Sequence, residues 1–473
     1  MESFKIYAGG EFKETPLSLL VENPFDNKAF AQTWLAGEEE LNFASQRALE
    51  AFEELKKMPA FEKSKALSFI SKKISANEER FALLIASEAA KPWKYALSEV
   101  RRAVQTFSVA AEETKRLPME YIRLDWSPDG QGREGLVKYF PVGPVAGISP
   151  FNFPLNLAAH KIAPALAAGC PIVLKPASST PLATLELAKI IDKTDLPKGS
   201  FSVLPMNRKT GDLLVTSDVF KLLTFTGSSE VGWNMKARAG KKKVVLELGG
   251  NAGTIVAPSA DLEHAVKRSV VGGFAYQGQV CIHAQRIMVH SSVFKQFREQ
   301  FIPLVKKLKY GSPLEKDTDI TSMIDESNAK RIEEWVNEAV EQGAEILCGG
   351  KRDGSYYTPT VLTNVNSDMK VSCMEVFGPV VTLQPYDKFE DAVEEVNNTN
   401  YGLQAGIFTN EIKELDYAFA NIEVGGLIHN DAPVFRTDHM PYGGVKDSGI
   451  GREGIKYAIY DMMEPRILVK SLV

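Results

Sequence analysis

The chain has 473 residues, 44% of them hydrophobic and 24% charged, and its formal net charge is −5. This size allows two or three globular domains with a large core, and the lack of long single-sign charge runs argues against nucleic acid or a membrane as a partner. The N-terminus lacks an apolar signal core and no run of about 18 apolar residues occurs, so we expect a cytoplasmic protein.

The cysteines and histidines indicate neither a disulfide framework nor a metal site. The four cysteines lack a CxxC spacing, and the six histidines lack an HExxH pair. We therefore expect reduced thiols and no metal.

The first hundred residues are predicted to be helical. Apolar residues recur at helical spacing from Leu41 to Leu55, with Pro59 as a stop, and again from Leu67 to Ile74.

A β-hairpin is predicted next, from residues 121–126 and 135–140 around a Ser-Pro-Asp-Gly turn. A two-stranded arm is marginal in water by itself, which favours assembly with another subunit.

From residue 145 onward, short β-rich runs alternate with helical segments. Such alternation predicts parallel α/β sheets, and the number of strands suits two nucleotide-fold-sized halves that meet near residue 248. The predicted strands are 145–148, 172–174, 201–204, 222–225, 244–246, 252–256, 286–289, 380–383 and 405–408.

Three segments along these halves carry reactive side chains in glycine- or proline-rich surroundings. Cys281 ends the run Gln-Gly-Gln-Val-Cys, Glu247 lies in Leu-Glu-Leu-Gly-Gly-Asn, and Asn152 lies between two prolines in Pro-Phe-Asn-Phe-Pro. Glycines let the backbone approach a ligand closely. Together the three side chains offer a nucleophile, a general base and an oxyanion donor.

These segments, in their order and spacing, resemble the NAD(P)-dependent, acid-forming aldehyde dehydrogenase family. The resemblance covers nearly the whole chain and includes further motifs at residues 174–178, 225–232, 375–379 and 441–449. It implies that Cys281 adds to an aldehyde, that Asn152 and the Cys281 backbone N–H hold the oxyanion, and that hydride leaves for the nicotinamide. Glu247 would then activate water to hydrolyse the Cys281 thioester.

The resemblance also implies a domain plan of two Rossmann-like parallel-sheet domains and a small β-hairpin oligomerisation arm. Residues 1–118 and 141–247 would form the NAD(P)-binding domain, and residues 248–447 the catalytic domain. Residues 119–140 and 448–473 would form the arm, which implies a homodimer or homotetramer.

Two glycine motifs are candidates for the cofactor site. The GxGxxG at 449–454 follows no apolar strand and leaves too little chain for a βαβ unit, so we interpret it as a structural turn. Residues 227–232 lack the Lys-Ser/Thr of a kinase-type loop, but a helix opening at Ser228 or Ser229 could hold a pyrophosphate. By resemblance, the cofactor-binding residues are Ile148, Ser149, Phe151, Lys175, Ser178, Gly227, Ser228, Leu248, Glu375 and Phe377.

Ser178 bears on the choice between NAD and NADP. Many NAD-specific relatives carry a glutamate there, which repels a 2′-phosphate, and serine removes that repulsion. We expect NADP to be tolerated or preferred, with help from Arg208 or Lys209.

The substrate is predicted from the loop before the last glycine motif, at 430–440. Arg436 and His439 are its polar candidates, with Phe153 and His160 as further substrate-binding residues. A guanidinium pairs well with a carboxylate or a phosphate. The candidate substrates are a semialdehyde, a phosphorylated aldehyde, or a short hydroxylated aldehyde such as lactaldehyde. The alternative for Arg436 is a salt bridge within the loop.

Two other functions remain open at this stage. A CoA-acylating dehydrogenase would pass the thioester to coenzyme A, although such relatives commonly lack the carboxylate of Glu247. A non-catalytic relative would keep the fold without the activity. The joint presence of Cys281, Glu247 and Asn152 argues against this alternative.

Overall fold

The computed structural model describes residues 1–472, which contain two large parallel sheets covered by helices and a smaller antiparallel sheet. The strands are β1 (Glu2–Ser3), β2 (Ile6–Ala8), β3 (Glu11–Lys13), β4 (Ser18–Asn23), β5 (Lys28–Trp34), β6 (Met119–Arg123), β7 (Arg133–Pro141), β8 (Val145–Ile148), β9 (Ile172–Lys175), β10 (Phe201–Val203), β11 (Leu222–Thr226), β12 (Lys243–Glu247), β13 (Gly253–Val256), β14 (Arg286–His290), β15 (Glu345–Cys348), β16 (Arg352–Asp353), β17 (Tyr356–Tyr357), β18 (Thr360–Thr363), β19 (Val380–Tyr386), β20 (Tyr401–Gly402), β21 (Gln404–Phe408), β22 (Gly426–His429), β23 (Val445–Lys446), β24 (Gly449–Ile450) and β25 (Met463–Ser471).

The helices pack on the faces of these sheets. They are α1 (Glu38–Leu55), α2 (Ala60–Ala76), α3 (Glu78–Ala89), α4 (Trp93–Glu113), α5 (Asn156–Ala168), α6 (Leu182–Ile191), α7 (Arg208–Thr216), α8 (Ser229–Arg238), α9 (Leu262–Phe274), α10 (Ser291–Lys306), α11 (Glu326–Glu341), α12 (Lys370–Cys373), α13 (Phe389–Asn397), α14 (Ile412–Asn421) and α15 (Ile455–Asp461). Each helix of the described residues is too short or too polar to cross a lipid bilayer.

The first sheet has eight strands in the order β24-β12-β11-β8-β9-β10-β2-β3, and its five central strands are parallel. Every residue of β11 is buried, as expected for a strand covered by helices on both faces. Helix α5 is buried along its whole length, which follows from its apolar and alanine-rich sequence. The carboxyl ends of β8, β11 and β12 carry the segments that contain Asn152, Gly227 and Glu247.

The second sheet has seven strands in the order β15-β18-β19-β14-β13-β21-β22, all parallel except the edge strand β15. The two sheets confirm the predicted α/β class with parallel strands. All of the strands predicted after residue 145 are present, with ends that differ by at most a few residues.

The third sheet joins β25, β7 and β6 and contains the predicted hairpin. Strand β25 pairs with β7 along nine residues, from Met463 to Ser471. The sheet exposes large apolar side chains, namely Met119, Tyr121, Ile122, Ile467, Leu468 and Val469.

Two predictions differ from the structure. Residues 1–34 were expected to lie in a helical region but form β1 to β5, because the helical spacing begins only with α1. Most of these strands are too short to show an alternating pattern. Further along, Gly449 and Ile450 pair with β12 as an antiparallel strand, so the start of the segment 448–473 joins the first sheet rather than the arm.

Candidate active site

A cavity of about 360 Å³ brings together residues from both large sheets. Its wall contains the predicted residues Phe151, Asn152, Gly227, Ser228, Leu248, Cys281, Glu375 and Phe377. It also contains Asn328 and Arg331 of α11, which the sequence did not single out. The rings of Phe151 and Phe377 meet edge to face with centroids 5.9 Å apart. Side chains that are far apart in sequence therefore form one concave surface around the Cys281 thiol.

The turn before Cys281 has an unusual backbone that fixes the position of the thiol. Tyr276 and Gln277 adopt left-handed φ values of 49° and 54°, and Gly278 follows at 66°. A Cβ atom on Gly278 would come within 2.2 Å of the carbonyl oxygen of Gly378, so only glycine fits there. Left-handed non-glycine residues cost about 1–3 kcal/mol each and persist where surrounding contacts hold them. One such contact is the Gln279 side chain, which accepts a hydrogen bond from the Ile324 N–H at 3.0 Å.

The Cys281 thiol is half-buried and contacts one side-chain oxygen. Its sulfur lies 2.9 Å from the hydroxyl of Tyr442, a residue that the sequence analysis did not single out. Burial raises the pKa of the thiol to about 12, and the contact with Tyr442 opposes that rise.

The Asn152 amide is held by an internal ion pair. Its Nδ2 donates to the carbonyl oxygen of Gln279 at 2.9 Å, which leaves the second amide hydrogen available. The backbone carbonyl of Asn152 accepts from Lys91 Nζ, which also pairs with Glu99 at 2.5 Å. Glu99 in turn accepts from the Leu155 N–H at 2.9 Å. Because both charges are fully buried and paired, they fix the loop that carries the amide.

Glu247 ends β12 beside the cavity but is not part of its wall. Neither carboxylate oxygen has a hydrogen-bond partner within residues 1–472, and a Cβ on Gly443 would lie 2.8 Å from Oε1. Burial, and then the charge of Glu453, raise the pKa of Glu247 well above its usual value, against the effect of Arg436. A buried carboxyl without a partner favours its protonated form.

A buried polar network lies behind this carboxyl. Glu453 pairs with Arg436 at 3.0 Å and with Lys161 at 3.6 Å. Burial opposes ionisation of Glu453, but Arg436 and Lys161 outweigh it and lower the pKa. The predicted substrate residue His160 belongs to this network, since its Nε2 lies 2.8 Å from Asp438 Oδ1.

Two of the predicted substrate residues therefore lie away from the cavities. His160 is buried behind the site, and His439 is exposed; neither forms part of the wall of the cavities described here. The remaining two, Phe153 and Arg436, line a second cavity of about 270 Å³ next to the Cys281 turn. Arg436 makes a salt bridge, as the alternative interpretation held, but its partner is Glu453 rather than a residue of its own loop.

The wall of this second cavity is cationic. Besides Arg436 it contains Lys91, Arg102 and Arg268, with Glu99 as the one carboxylate among the lining residues. The other carboxylates that pair with these arginines stand behind the wall: Arg102 contacts Asp438 at 2.8 Å, Arg268 contacts Asp431 at 2.5 Å, and Arg436 contacts Glu453. The Nε atom of Arg436 is buried without a partner among the described residues. Each guanidinium has five N–H donors, so pairing on one side leaves donors for a ligand.

A third cavity, of about 490 Å³, extends the site along the first sheet. The predicted residues Ile148, Lys175 and Ser178 line it, together with Arg208. Ser149 does not; its hydroxyl is buried without a partner within the described chain.

The residues of this third cavity fit an anionic cofactor. Lys175 is largely buried, and burial lowers its pKa with no carboxylate of the described residues to offset the effect. The helix α8 opens at its edge after β11, so its first N–H groups are free for a phosphate. The Lys175 ammonium donates to the Pro176 carbonyl oxygen at 3.5 Å and pairs with no carboxylate of the described residues. Together with a helix N-terminus, it suits the phosphates of a dinucleotide.

Residues 13–468 match the Aldehyde dehydrogenase family. The chain belongs to this family. A 3-sulfolactaldehyde dehydrogenase from Priestia aryabhattai is 43% identical over 473 residues, which cover all of this chain and 99% of that protein. This aldehyde dehydrogenase therefore matches a full-length relative from end to end.

Solved structures agree with this assignment. Aldehyde dehydrogenase 21 from Physcomitrella patens, in complex with its reaction product succinate, is 47% identical with a TM-score of 0.98 and covers 100% of this chain and 99% of its own. Glyceraldehyde-3-phosphate dehydrogenase GapN from Methanocaldococcus jannaschii, complexed with NADP, is 38% identical with a TM-score of 0.92 and covers 97% and 99%. The protein is an oxidoreductase that acts on aldehydes with NAD or NADP as cofactor.

Proposed function

We propose that this enzyme oxidises a short anionic aldehyde to the carboxylic acid through a thioester on Cys281. The observation that carries the proposal is the position of the thiol. Cys281 lies on the wall of one cavity with Asn152, Glu375 and Phe377, and its turn also forms part of the neighbouring cationic cavity. A nucleophile between a cofactor cavity and a cation-lined cavity suits the transfer of hydride from a charged aldehyde.

The first chemical step is addition of the Cys281 thiolate to the carbonyl carbon. The carbon–sulfur bond forms as the carbonyl π pair moves to oxygen, and the Asn152 amide with the Cys281 backbone N–H holds the resulting oxyanion. The ion pair of Lys91 and Glu99 keeps the amide in place during this step. NAD or NADP, when bound, accepts the hydride that leaves this carbon.

The second step is hydrolysis of the thioester, for which we propose Glu247 as the general base. Glu247 directly precedes Leu248 and Gly249, which line the cavity. We propose that its side chain rotates to reach a water near Cys281. A water-activating base beside the thioester favours acid formation over transfer to coenzyme A.

The proposed cofactor contacts follow the cavity walls. Lys175, Ser178 and Ile148 would contact the adenosine end, Gly227, Ser228 and Phe151 the pyrophosphate, and Glu375 with Phe377 the nicotinamide end. Burial raises the pKa of Glu375 to about 7, although the Gly250 N–H, which donates to it at 3.0 Å, acts against this.

The charge of the proposed substrate is supported by the arginines and by the relatives. Arg102, Arg268 and Arg436 face a cavity in which Glu99 is the single lining carboxylate. Some relatives are named for lactaldehyde or betaine aldehyde, which carry no anionic group. The names of three others contain a compound with a sulfonate, a carboxylate or a phosphate: sulfolactaldehyde, succinate and glyceraldehyde 3-phosphate. These groups share a terminal oxyanion that guanidinium groups bind well. We therefore propose a substrate of about three or four carbons with such a group at the end away from the aldehyde.

A panel assay tests this proposal. Reduced-cofactor absorbance is followed with succinic semialdehyde, lactaldehyde and butyraldehyde, with NAD and NADP in parallel, and with Cys281→Ala as the blank. We expect turnover to fall by about 10⁴-fold or more in the blank, because no other group can form the thioester. Product analysis with added coenzyme A must still give the free acid. Turnover that survives in Cys281→Ala, or an acyl-CoA product, would contradict the proposal.

We also propose that the third sheet is an assembly arm between subunits of a homodimer or homotetramer. The domain plan keeps the NAD(P)-binding residues 1–118 and 141–247, the catalytic residues 248–447 and an arm of 119–140 with β25. Leu468 is about half exposed on β25, and such apolar rows normally meet a partner. Leu468→Asp should lower the molar mass measured by light scattering, whereas Lys470→Asp, on the same strand, should not.

A further inference from the structure

The contact between Cys281 and Tyr442 has no part in the steps above. The two atoms, Sγ and Oη, are 2.9 Å apart, and Tyr442 is 3% exposed. The tyrosine ring belongs to a buried apolar cluster with Val280, Ile282 and Leu403, so the hydroxyl is held at the thiol by packing.

Burial, and then the charge of Cys281, raise the pKa of Tyr442, whereas the charge of Arg436 opposes that rise and so favours the hydroxyl as a donor. The guanidinium carbon of Arg436 lies 3.6 Å from the centroid of the Tyr442 ring. A cation over an aromatic face draws electron density from it, and a more electron-poor phenol donates a hydrogen bond more strongly. Arg436 keeps this position because its Nη2 donates to Glu453 at 3.0 Å.

The direction of the hydrogen bond depends on the state of the sulfur. Either atom can donate while Cys281 is a thiol, but a thiolate can only accept, so the phenol must then be the donor. Tyr442 provides the one side-chain hydrogen bond to this sulfur among residues 1–472. Once sulfur bonds to carbon, it loses its charge and becomes a weak acceptor, so the contact favours the thiolate over the adduct.

We propose that Tyr442 is a further catalytic residue, whose hydroxyl donates a hydrogen bond to the Cys281 thiolate and sets how much of it is present for attack. The inference rests on the proposed role of Cys281 as the nucleophile. It assigns to Arg436 a positioning role as well, through its contact with the tyrosine ring.

Two opposing effects determine the outcome of removing the hydroxyl. A hydrogen bond to a charged group changes the thiolate population by about 10- to 100-fold. The thiolate that remains is more basic, however, and therefore attacks faster. On a logarithmic scale, this gain in rate offsets slightly under half of the loss in thiolate population. Tyr442→Phe should therefore slow attack by about three- to tenfold at every pH from 6 to 10, because this range lies below the raised pKa of the thiol.

The experiment is alkylation of the intact enzyme by iodoacetamide between pH 6 and 10, followed by mass spectrometry of the peptide that contains Cys281. Tyr386→Phe is the matched control, because that tyrosine is also buried, its hydroxyl donates to the Val256 carbonyl oxygen at 3.3 Å, and it lines none of the three cavities. We expect Tyr442→Phe to react about three- to tenfold more slowly than wild type throughout this pH range, and Tyr386→Phe to follow the wild-type profile.

Either of two results would overturn the inference: equal rates for Tyr442→Phe and wild type at every pH, or equal slowing in Tyr442→Phe and Tyr386→Phe. The aldehyde assay separates this failure from that of the proposed function. Loss of turnover in Cys281→Ala together with an unchanged Tyr442→Phe profile would remove the tyrosine alone. Turnover in Cys281→Ala would remove the nucleophile on which both rest.

Discussion

The cavities on the two sides of Cys281 handle positive charge in opposite ways. On the cofactor side, Lys175 is buried with no carboxylate of the described residues to offset the cost. On the substrate side, Arg102, Arg268 and Arg436 each contact a carboxylate of the protein. The cofactor side therefore leaves the counter-charge of Lys175 to its ligand, whereas the substrate side holds its arginines in fixed positions before any ligand arrives.

This difference has a physical consequence for binding. A buried ammonium without a partner is costly, so an anionic ligand that pairs with it gains the full interaction. A guanidinium already paired with a carboxylate costs less to keep, but it offers a ligand only its remaining donors. We infer that the cofactor side contributes more to affinity and the substrate side more to orientation and selectivity.

Glu247 follows neither pattern, and its replacement has a larger expected effect than that of Arg102 or Ser178. Its carboxylate is buried without a hydrogen-bond partner among residues 1–472, and burial raises its pKa. As a base it acts only when ionised, so the hydrolysis rate should rise as pH increases through this raised pKa. Glu247→Gln should lower steady-state acid formation by about 10²- to 10⁴-fold while a first burst of reduced cofactor remains.

Stopped-flow absorbance from pH 5 to 9 checks both parts. The wild-type profile of kcat should show an acidic limb well above pH 4.5, and the glutamine variant should lose it. A burst that disappears in Glu247→Gln would place this residue in the addition step instead.

Arg102→Gln tests the cationic wall and should have an intermediate effect. The side chain is 25% exposed, so its replacement disturbs the core less than that of the buried Arg436. With succinic semialdehyde, kcat/KM should fall by about 10- to 100-fold because one oxyanion contact is lost. With butyraldehyde, its neutral counterpart, kcat/KM should stay within about threefold.

Two controls complete this test. Arg101→Gln, on the neighbouring position of the same helix, removes a charge that lies outside the cavity wall. Equal losses for the charged and the neutral aldehyde in Arg102→Gln would mean that Arg102 supports the fold through Asp438 and does not select an anion.

Ser178→Glu tests the cofactor side and should have the smallest of these effects. The serine lines the adenosine cavity with Arg208, and its hydroxyl donates to the Met206 carbonyl oxygen at 3.3 Å. A carboxylate there should repel a 2′-phosphate and raise the NAD/NADP ratio of kcat/KM by about tenfold. Ser178→Gln, similar in size but neutral, should change the ratio far less. An unchanged ratio in Ser178→Glu would show that this position does not affect the choice of cofactor.

The residues proposed for the cofactor side could be selected from the sequence because they belong to short contiguous motifs. The strand, glycine turn and helix from Leu222 to Arg238 appear in the chain in the order in which they act. Only Ser149, among the ten predicted cofactor residues, lies off the cavity walls. Ser149 lies between Ile148 and Pro150, which both line the walls, so nothing in the sequence distinguished it from them.

The substrate side was harder to predict because its cations come from distant parts of the chain. Arg102 and Asp438 are 336 positions apart, and no local pattern indicates that they meet. One signal was present, since Glu99 and Arg102 interrupt the apolar face of α4 at helical spacing. His160 was predicted to bind the substrate, but it lies in the network behind the site, where it contacts Asp438 and Glu453.

The most direct test of the proposed mechanism is to isolate the thioester. Glu247→Gln enzyme is mixed with NADP and succinic semialdehyde, quenched in acid, and digested for mass spectrometry. We predict an adduct on the peptide that contains Cys281, with the mass of the aldehyde less two hydrogens. A burst of reduced cofactor without that adduct, or with the adduct on another cysteine such as Cys373, would contradict it.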